Sequence, residues 1–252
     1  MARRQRGRLL DGVLLLDKPE GLSSNHALQR ARRAMDARKA GHTGTLDPFA
    51  TGLLVCCFGR ATKISGLLLD ADKGYEAVMR FGVETDSGDL TGSPVATNDL
   101  PAGGITTEAL RLSLEKFKGT IEQIPPMYSA LKRDGKPLYE YARQGIELER
   151  PPRTVHIHQL DLLENNGVEA RIFVACSKGT YIRTLAQDIG RDLGCYAHLV
   201  ALRRTVLGPF DLADGHSLEQ IQSMPEPEST LIGLAELPEA LRPANLIVKE
   251  TL

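Results

Sequence analysis

The segment Gly41-His42-Thr43-Gly44-Thr45-Leu46-Asp47-Pro48 sets one carboxylate among two glycines and two small hydroxyl side chains. Glycine serves where a backbone must take unusual dihedrals or approach a ligand closely. Asp47 therefore stands on a tight, unobstructed stretch. A carboxylate presented in this way can attack as a nucleophile, stabilise developing positive charge, or move a proton. The same residues also suit a structural task. Asp followed by Pro makes a good helix start, with Asp47 as N-cap and Pro48 at the first helical position.

Other groupings of chemically active side chains are weaker. His156 and His158 alternate along one strand and face the same way, but no third ligand accompanies them, so they read as a surface pair. Asp86 and Asp89 flank Gly88 without EF-hand spacing. Cys56, Cys57, Cys176 and Cys195 show neither Cys-x-x-Cys pairing nor zinc spacing, and read as reduced thiols. The adjacent Cys56 and Cys57 must face opposite sides of a strand. No Gly-rich phosphate loop ending in Gly-Lys-Ser/Thr occurs, nor a strand-linked G-x-G-x-x-G. No metal and no cofactor are expected.

The elements that must carry these residues alternate short strands with helices, an α+β pattern rather than regular βαβ. Gly12 to Leu16 is a short apolar run that reads as a buried strand. Ser23 or Ser24 caps a helix to about Asp36, whose stripe of Ala27, Leu28, Ala31, Ala34 and Met35 has helical spacing. Residues 63–72 suggest another helix. Residues 75–83 form a strand with Tyr75, Ala77, Met79 and Phe81 on one face. A polar loop over 84–101 precedes a helix over 107–117. A turn at Arg133-Asp134-Gly135 and a helix over 137–144 follow. Strands over 154–163 and 168–177 flank Asn165-Asn166-Gly167, a strong hairpin signal. Lys178-Gly179-Thr180 opens a helix to about Leu193.

The bulk numbers fit a soluble protein: 252 residues, 42% hydrophobic, 25% charged, net charge −1. No apolar run approaches the roughly 18–20 residues of a membrane span. The basic start, Met1 to Arg8, is neither a signal nor a transit peptide, which points to the cytoplasm. The small net charge conceals a gradient. Residues 1–63 hold 12 Lys and Arg against 5 Asp and Glu, whereas residues 211–252 hold 2 against 8. A basic front half is what contact with a phosphate backbone requires.

Several stretches far apart in the chain, taken together, resemble the bacterial tRNA pseudouridine-55 synthase family. They are Asp17-Lys18-Pro19 with Gly21 and Ser23-Ser24; Gly41 to Gly52; Gly59 to Lys63; Lys73 to Glu76; and Thr85-Asp86 with Gly92. Gln123 to Lys132, Lys136 to Gly145, Ser177 to Thr184 and Ala197 to Arg204 continue the series to about residue 215. The resemblance implies the pseudouridine synthase fold, with a mixed, largely antiparallel central sheet flanked by helices and loops. It also implies that one uridine in the T-loop of tRNA is isomerised to pseudouridine without a cofactor, by a monomer acting on the T-arm.

By the same resemblance Asp47 is the catalytic aspartate and Arg183 its partner. An exposed Arg in a helix's first turn, opposing the dipole, is the alternative for Arg183. Tyr75 stacks on the target base, Leu202 walls the pocket, Tyr181 contacts substrate, and His42 fills the place of the extracted base. Lys18 and Pro19 support the site from beneath. Arg30, Arg33, Arg38 and Lys39 are the expected contacts to the RNA backbone. The chain divides into a basic tail (1–8), a catalytic domain (9–223) and an acidic, proline-containing segment (224–252) where many family members carry a PUA module, here absent or truncated. The rival readings are a synthase of other RNA specificity and a non-catalytic tRNA-folding chaperone.

Overall fold

Residues 7–242 are described by the computed structural model, so part of the basic tail and the last ten residues of the acidic segment lie outside the described residues. The chain divides into two units, one built from the residues up to Gly74 and from Arg203 onward, the other from Tyr75–Leu202.

The first unit begins with β1 (Gly12–Lys18), in which all residues but Asp17 are buried. α1 (Ser24–Ala34) follows, with Ser23 as its cap: the Ser23 hydroxyl accepts from the His26 amide at 3.2 Å. The helix ends two residues before the expected Asp36, which takes a positive φ of 48°. β2 (Ala40–Thr43) and β3 (Thr51–Phe58) pair antiparallel, and β3 also pairs antiparallel with β1. Alternation along these strands sorts their side chains to two faces. Leu14, Leu16, Leu54 and Cys56 pack with Ala27, Leu28 and Ala31 of α1. Val13, Leu15, Leu53, Val55 and Cys57 pack on the other face with Ile64 and Leu68. The two neighbouring cysteines therefore fill different cores, as their spacing requires. Where a helix over 63–72 is expected, a 3-10 turn (Gly59–Ile64) leads into the short α2 (Ser65–Leu69).

The second unit starts in β4 (Lys73–Phe81), where Tyr75, Ala77, Met79 and Phe81 are all buried on one face. The expected polar loop contains a hairpin, β5 (Val83–Thr85) with β6 (Pro94–Thr97). α3 (Thr107–Lys116), capped by Thr106, and β7 (Gly119–Gln123) come next. β8 (Lys132–Arg133) and β9 (Lys136–Pro137) close around Asp134 and Gly135, both at positive φ. α4 (Leu138–Ala142) is a single turn, and β10 (Arg153–Asn165) pairs antiparallel with β11 (Glu169–Cys176) across the Asn-Asn-Gly turn. α5 (Ile182–Asp192) leads into β12 (Ala197–Leu207), giving the order β12-β4-β11-β10-β7.

From Arg203 the first unit resumes with β13 (Phe210–Asp211), β14 (His216–Ser217) and α6 (Leu218–Ser223), which opens on a capping box of Ser217 and Gln220. Its order is β14-β1-β3-β12, with β1–β14 and β3–β12 parallel. The sheet is therefore mixed, as the α+β expectation requires. Within the acidic segment, Leu237 and Leu241 are buried in the same core as Val13 and Leu15. The described part of that stretch, up to residue 242, is packed structure rather than a loose extension.

Gly52 sits in β3 between Lys18 on one side and Arg204 on the other, at φ 97°. A Cβ there would overlap the Arg204 carbonyl oxygen. Gly52→Ala is expected to cost about 1–3 kcal/mol from the backbone alone, and more from the clash. A urea midpoint equal to wild type would show that β3 and β12 do not approach so closely.

Candidate active site

Asp47 lies in the connection between β2 and β3, and no helix begins there. The N-cap reading is thus corrected. The Ala50 amide donates to the Asp47 carbonyl at 3.1 Å in one isolated turn, after which β3 takes over, held on its edge by β1. Strand pairing has overridden the local helix signal. What remains is a half-buried carboxylate on an irregular segment whose backbone groups need partners from elsewhere.

Those partners are specific. The Ser24 hydroxyl accepts from the Leu46 amide at 2.8 Å and lies 3.0 Å from the Leu46 carbonyl, to which it donates. The Gly21 amide donates to the Pro48 carbonyl at 2.8 Å, and Lys18 Nζ reaches the same oxygen at 3.3 Å. Arg204 Nη2 donates to the Gly44 carbonyl at 3.0 Å. Residues 44, 46 and 48 are each held, and Asp47 is fixed between them.

Lys18 ends β1 with no exposed surface. Its ammonium also donates to the carbonyls of Pro19 (2.8 Å) and Leu22 (2.7 Å), so the expected support by Lys18 and Pro19 is a concrete hydrogen-bond cluster. Burial pushes the Lys18 amine down to about 8, against the opposing pull of the Asp47 carboxylate. His42, on β2 opposite Cys56, is half-buried, and its Nδ1 is buried without a hydrogen-bond partner. Burial, and then the Arg204 charge, hold its ring below the usual histidine range, so the imidazole is neutral near pH 7.

In the second unit, Arg183 is the second residue of α5 and only 4% exposed, which corrects the alternative of a solvated first-turn arginine. It donates to the carbonyls of Ser87 (2.6 Å) and Tyr128 (2.7 Å), with Asp89 Oδ2 3.8 Å from its Nε. Asp89 is itself ordered by the Ser87 hydroxyl (2.9 Å) and by the Thr91 amide and hydroxyl (2.9 and 2.6 Å). Tyr181 precedes α5 and lacks a side-chain cap. Gln123, at the end of β7, instead clamps the backbone of Tyr181 itself: its amide oxygen accepts from the Tyr181 amide at 2.7 Å and its nitrogen donates to the Tyr181 carbonyl at 3.0 Å. Tyr75 (8% exposed) and Leu202 (7%) stand on the neighbouring strands β4 and β12.

The first unit thus brings together Lys18, Pro19, His42 and Asp47, and the second brings Tyr181 and Arg183 onto one support. From the sequence, Ser24 stands out only as a candidate helix cap and Asp89 only as a weak cation-loop candidate, while Gln123 and Arg204 merely bound stretches that carry the resemblance. Among the basic residues, Arg33, Arg38 and Lys39 are exposed, whereas Arg30 is half-buried and donates to Gln222 at 3.1 Å. His156 and His158 are exposed with ring centroids 4.8 Å apart. Among the described residues, no group of three or more His, Cys, Asp or Glu side chains is placed to hold a metal ion. Nor is any helix among them long and apolar enough to cross a membrane.

Residues 32–182 match the TruB family pseudouridylate synthase (N terminal domain), and residues 183–249 match the tRNA pseudouridylate synthase B C-terminal domain. The tRNA pseudouridine synthase B of Bordetella parapertussis is 68% identical over 245 residues, covering 97% of this chain and 100% of the relative. The tRNA pseudouridine synthase B of Chromobacterium violaceum is 54% identical over 245 residues, covering 97% of this chain and 76% of its own length. Among solved structures, a chain of a Cbf5-Nop10-Gar1 complex aligns with TM-score 0.67 and 31% identity over 85% of this chain and 54% of that one. A chain of an H/ACA RNP bound to a substrate RNA containing 2′-deoxyuridine aligns with TM-score 0.66 and 25% identity, over 92% and 65%.

The depressed Lys18 pKa has a signed consequence. Below about pH 8 the folded and unfolded chains both hold the proton. Between about 8 and the ordinary 10.5 the folded state has released it and the unfolded chain has not, so stability gained from this group rises with pH. The stability of wild type relative to Lys18→Met should therefore increase between pH 7 and roughly 9.5. Urea unfolding of both proteins at the two pH values checks this, and an unchanged difference would place the Lys18 pKa near its ordinary value.

Proposed function

The chain belongs to the TruB family of pseudouridylate synthases, and we propose that it converts uridine 55 in the T-loop of tRNA to pseudouridine, with Asp47 as the catalytic carboxylate. The reaction breaks the bond from ribose C1′ to uracil N1, turns the base, and joins C1′ to C5. The proton lost from C5 is balanced by one gained at N1, so atoms and electrons balance without an outside reductant or energy source. A carboxylate can serve by attack, by stabilising charge at C1′, or by proton transfer.

The observation that supports this reading best is the anchoring of residues 44, 46 and 48 around Asp47. A helix cap needs no such scaffold, whereas a reacting group must be held to within a fraction of an ångström. Arg183 is the proposed counter-charge of Asp47, since an ionised carboxylate away from water needs a partner and Arg offers a permanent, planar charge. Tyr75 stacks on the target uracil, Leu202 walls the pocket, and Tyr181 contacts the substrate. Extracting the nucleotide costs a few kcal/mol, and His42, neutral and apolar-faced, stacks in the place it leaves. Arg33, Arg38 and Lys39 meet backbone phosphates, with Arg30 a weaker contributor. The enzyme works as a monomer in the cytoplasm and needs no metal for the chemistry.

Asp47→Asn keeps the size of the side chain and removes its charge. Pseudouridine formation, followed with a base-specific chemical probe, is expected to vanish while tRNA affinity stays within about threefold. An active Asp47→Asn enzyme would return Asp47 to a structural role, and wild type that binds tRNA without modifying it would favour the chaperone reading. Arg183→Met should remove most activity and destabilise the fold, because it strips buried Asp89 and the Ser87 and Tyr128 carbonyls of their donor, and breaking a buried pair typically costs about 3–5 kcal/mol. A double variant with Asp47→Asn no more stable than Arg183→Met alone would rule the pairing out.

An isolated T-arm stem-loop should also be a substrate, since RNA is read chiefly at unpaired, unstacked bases. Affinity for it should fall with salt, and Arg33→Ala, Arg38→Ala and Lys39→Ala should each reduce the log–log slope by about 1. Modification of whole tRNA but never of the stem-loop would place essential contacts outside the T-arm.

A further inference from the structure

We infer that Arg204 is the positioning residue that ties the His42–Asp47 segment to the sheet and so sets the place of the catalytic carboxylate. The inference rests on Asp47 as the reacting group. Arg204 is 1% exposed, and with Lys18 it heads the largest fully buried side chains among the described residues. A buried guanidinium must be satisfied, and its fork can serve acceptors on two different segments at once. Arg204 does this: Nε donates to the Leu53 carbonyl of β3 at 2.7 Å, and Nη2 to the Gly44 carbonyl at 3.0 Å. One side chain from β12 thus spans a strand and the irregular segment that precedes it.

The neighbouring Arg203 provides an internal contrast. Alternation sends it to the other face, where it makes a bidentate ion pair with Asp17 at 2.7 and 3.1 Å and is 42% exposed. Such a partly solvated pair is worth little. Arg204, by contrast, directs both of its described hydrogen bonds to backbone carbonyls. Its charge adds to burial in lowering the proton affinity of both His42 and Lys18. Gly44 completes the arrangement. At φ 72° it turns its carbonyl to the guanidinium, and a Cβ there would come 3.3 Å from Arg204 Nη1. The glycine of the motif and the arginine 160 positions later are two halves of one contact.

The test uses the full chain with Arg204→Lys and Arg204→Met, at a temperature where circular dichroism shows each folded. Lys keeps the charge but lacks the fork; Met keeps only the volume. Single-turnover pseudouridine formation at saturating enzyme is expected to fall roughly ten- to hundredfold in Arg204→Lys, since small misplacements have costs of that order. The tRNA dissociation constant should stay within about threefold. Amide exchange of residues 43–47 should accelerate while β10 and β11 of the second unit keep wild-type protection. A folded Arg204→Lys or Arg204→Met with the wild-type rate would overturn the inference, as would exchange that accelerates uniformly through both units. Asp47→Asn, run in parallel, should retain wild-type exchange over 43–47. Were it still active, the catalytic reading of Asp47 would fall, while the exchange pattern would still decide whether Arg204 holds the segment.

Discussion

Hydrogen bonds from buried side chains to the backbone of residues 44–48 are the interactions on which the first unit depends. This segment belongs to no ladder and no helix, so its carbonyls and amides would be costly orphans if buried alone. Ser24, Lys18, the Gly21 amide and Arg204 satisfy them. Two of these donors are fully buried cations. A hydrogen bond to a charged group contributes about 1.5–3 kcal/mol, while the effective cost of burying an ion is several kcal/mol. The two nearly cancel. Their return is therefore geometric rather than energetic: a carboxylate that cannot wander.

The second unit solves a similar problem by related means. α5 begins without a side-chain cap, and Gln123, from the end of β7, clamps the backbone of Tyr181 just before it. Arg183 follows two residues after Tyr181 and is steadied by two carbonyls from separate loops. In both units, long polar side chains from regular elements immobilise irregular backbone. That is the construction a site needs when its groups must be held in place before a substrate arrives.

Charge is distributed to match. The exposed Arg33, Arg38 and Lys39 cluster at the end of α1 and just beyond, near in sequence to His42 and Asp47. The acidic closing stretch, with two basic residues against eight acidic over 211–252, offers little to a phosphate, and its described part is tied down by Leu237 and Leu241 in the core. The small net charge of the whole chain is therefore uninformative, whereas its polarity along the sequence agrees with a nucleic-acid partner.

Local signals were legible wherever a local rule governs. The Ser23 cap, the buried face of β4, the Asn-Asn-Gly hairpin and the split of Cys56 and Cys57 between two cores all follow from spacing a few residues long. Asp47 was drawn out by its glycine-rich setting and by the colinear resemblance. Its conformation was not, because Asp-Pro signals a helix locally and only the pairing of β3 with β1 and β12 prevents one. The β5–β6 hairpin was hidden in a polar stretch for the same reason: two three- and four-residue strands carry no periodicity to read.

The supports of the site were illegible in principle. Ser24 meets Leu46 across 22 positions, Gln123 meets Tyr181 across 58, and Arg204 meets Gly44 across 160. Residue type announces that a buried arginine or glutamine must have partners, but only the folded chain decides which carbonyls come within 3 Å of it. The sequence by itself determined the chemistry available and the family to which the chain belongs. Tertiary structure alone decided which buried donors hold that chemistry still, because a hydrogen bond is set by distance in space and not by distance along the chain.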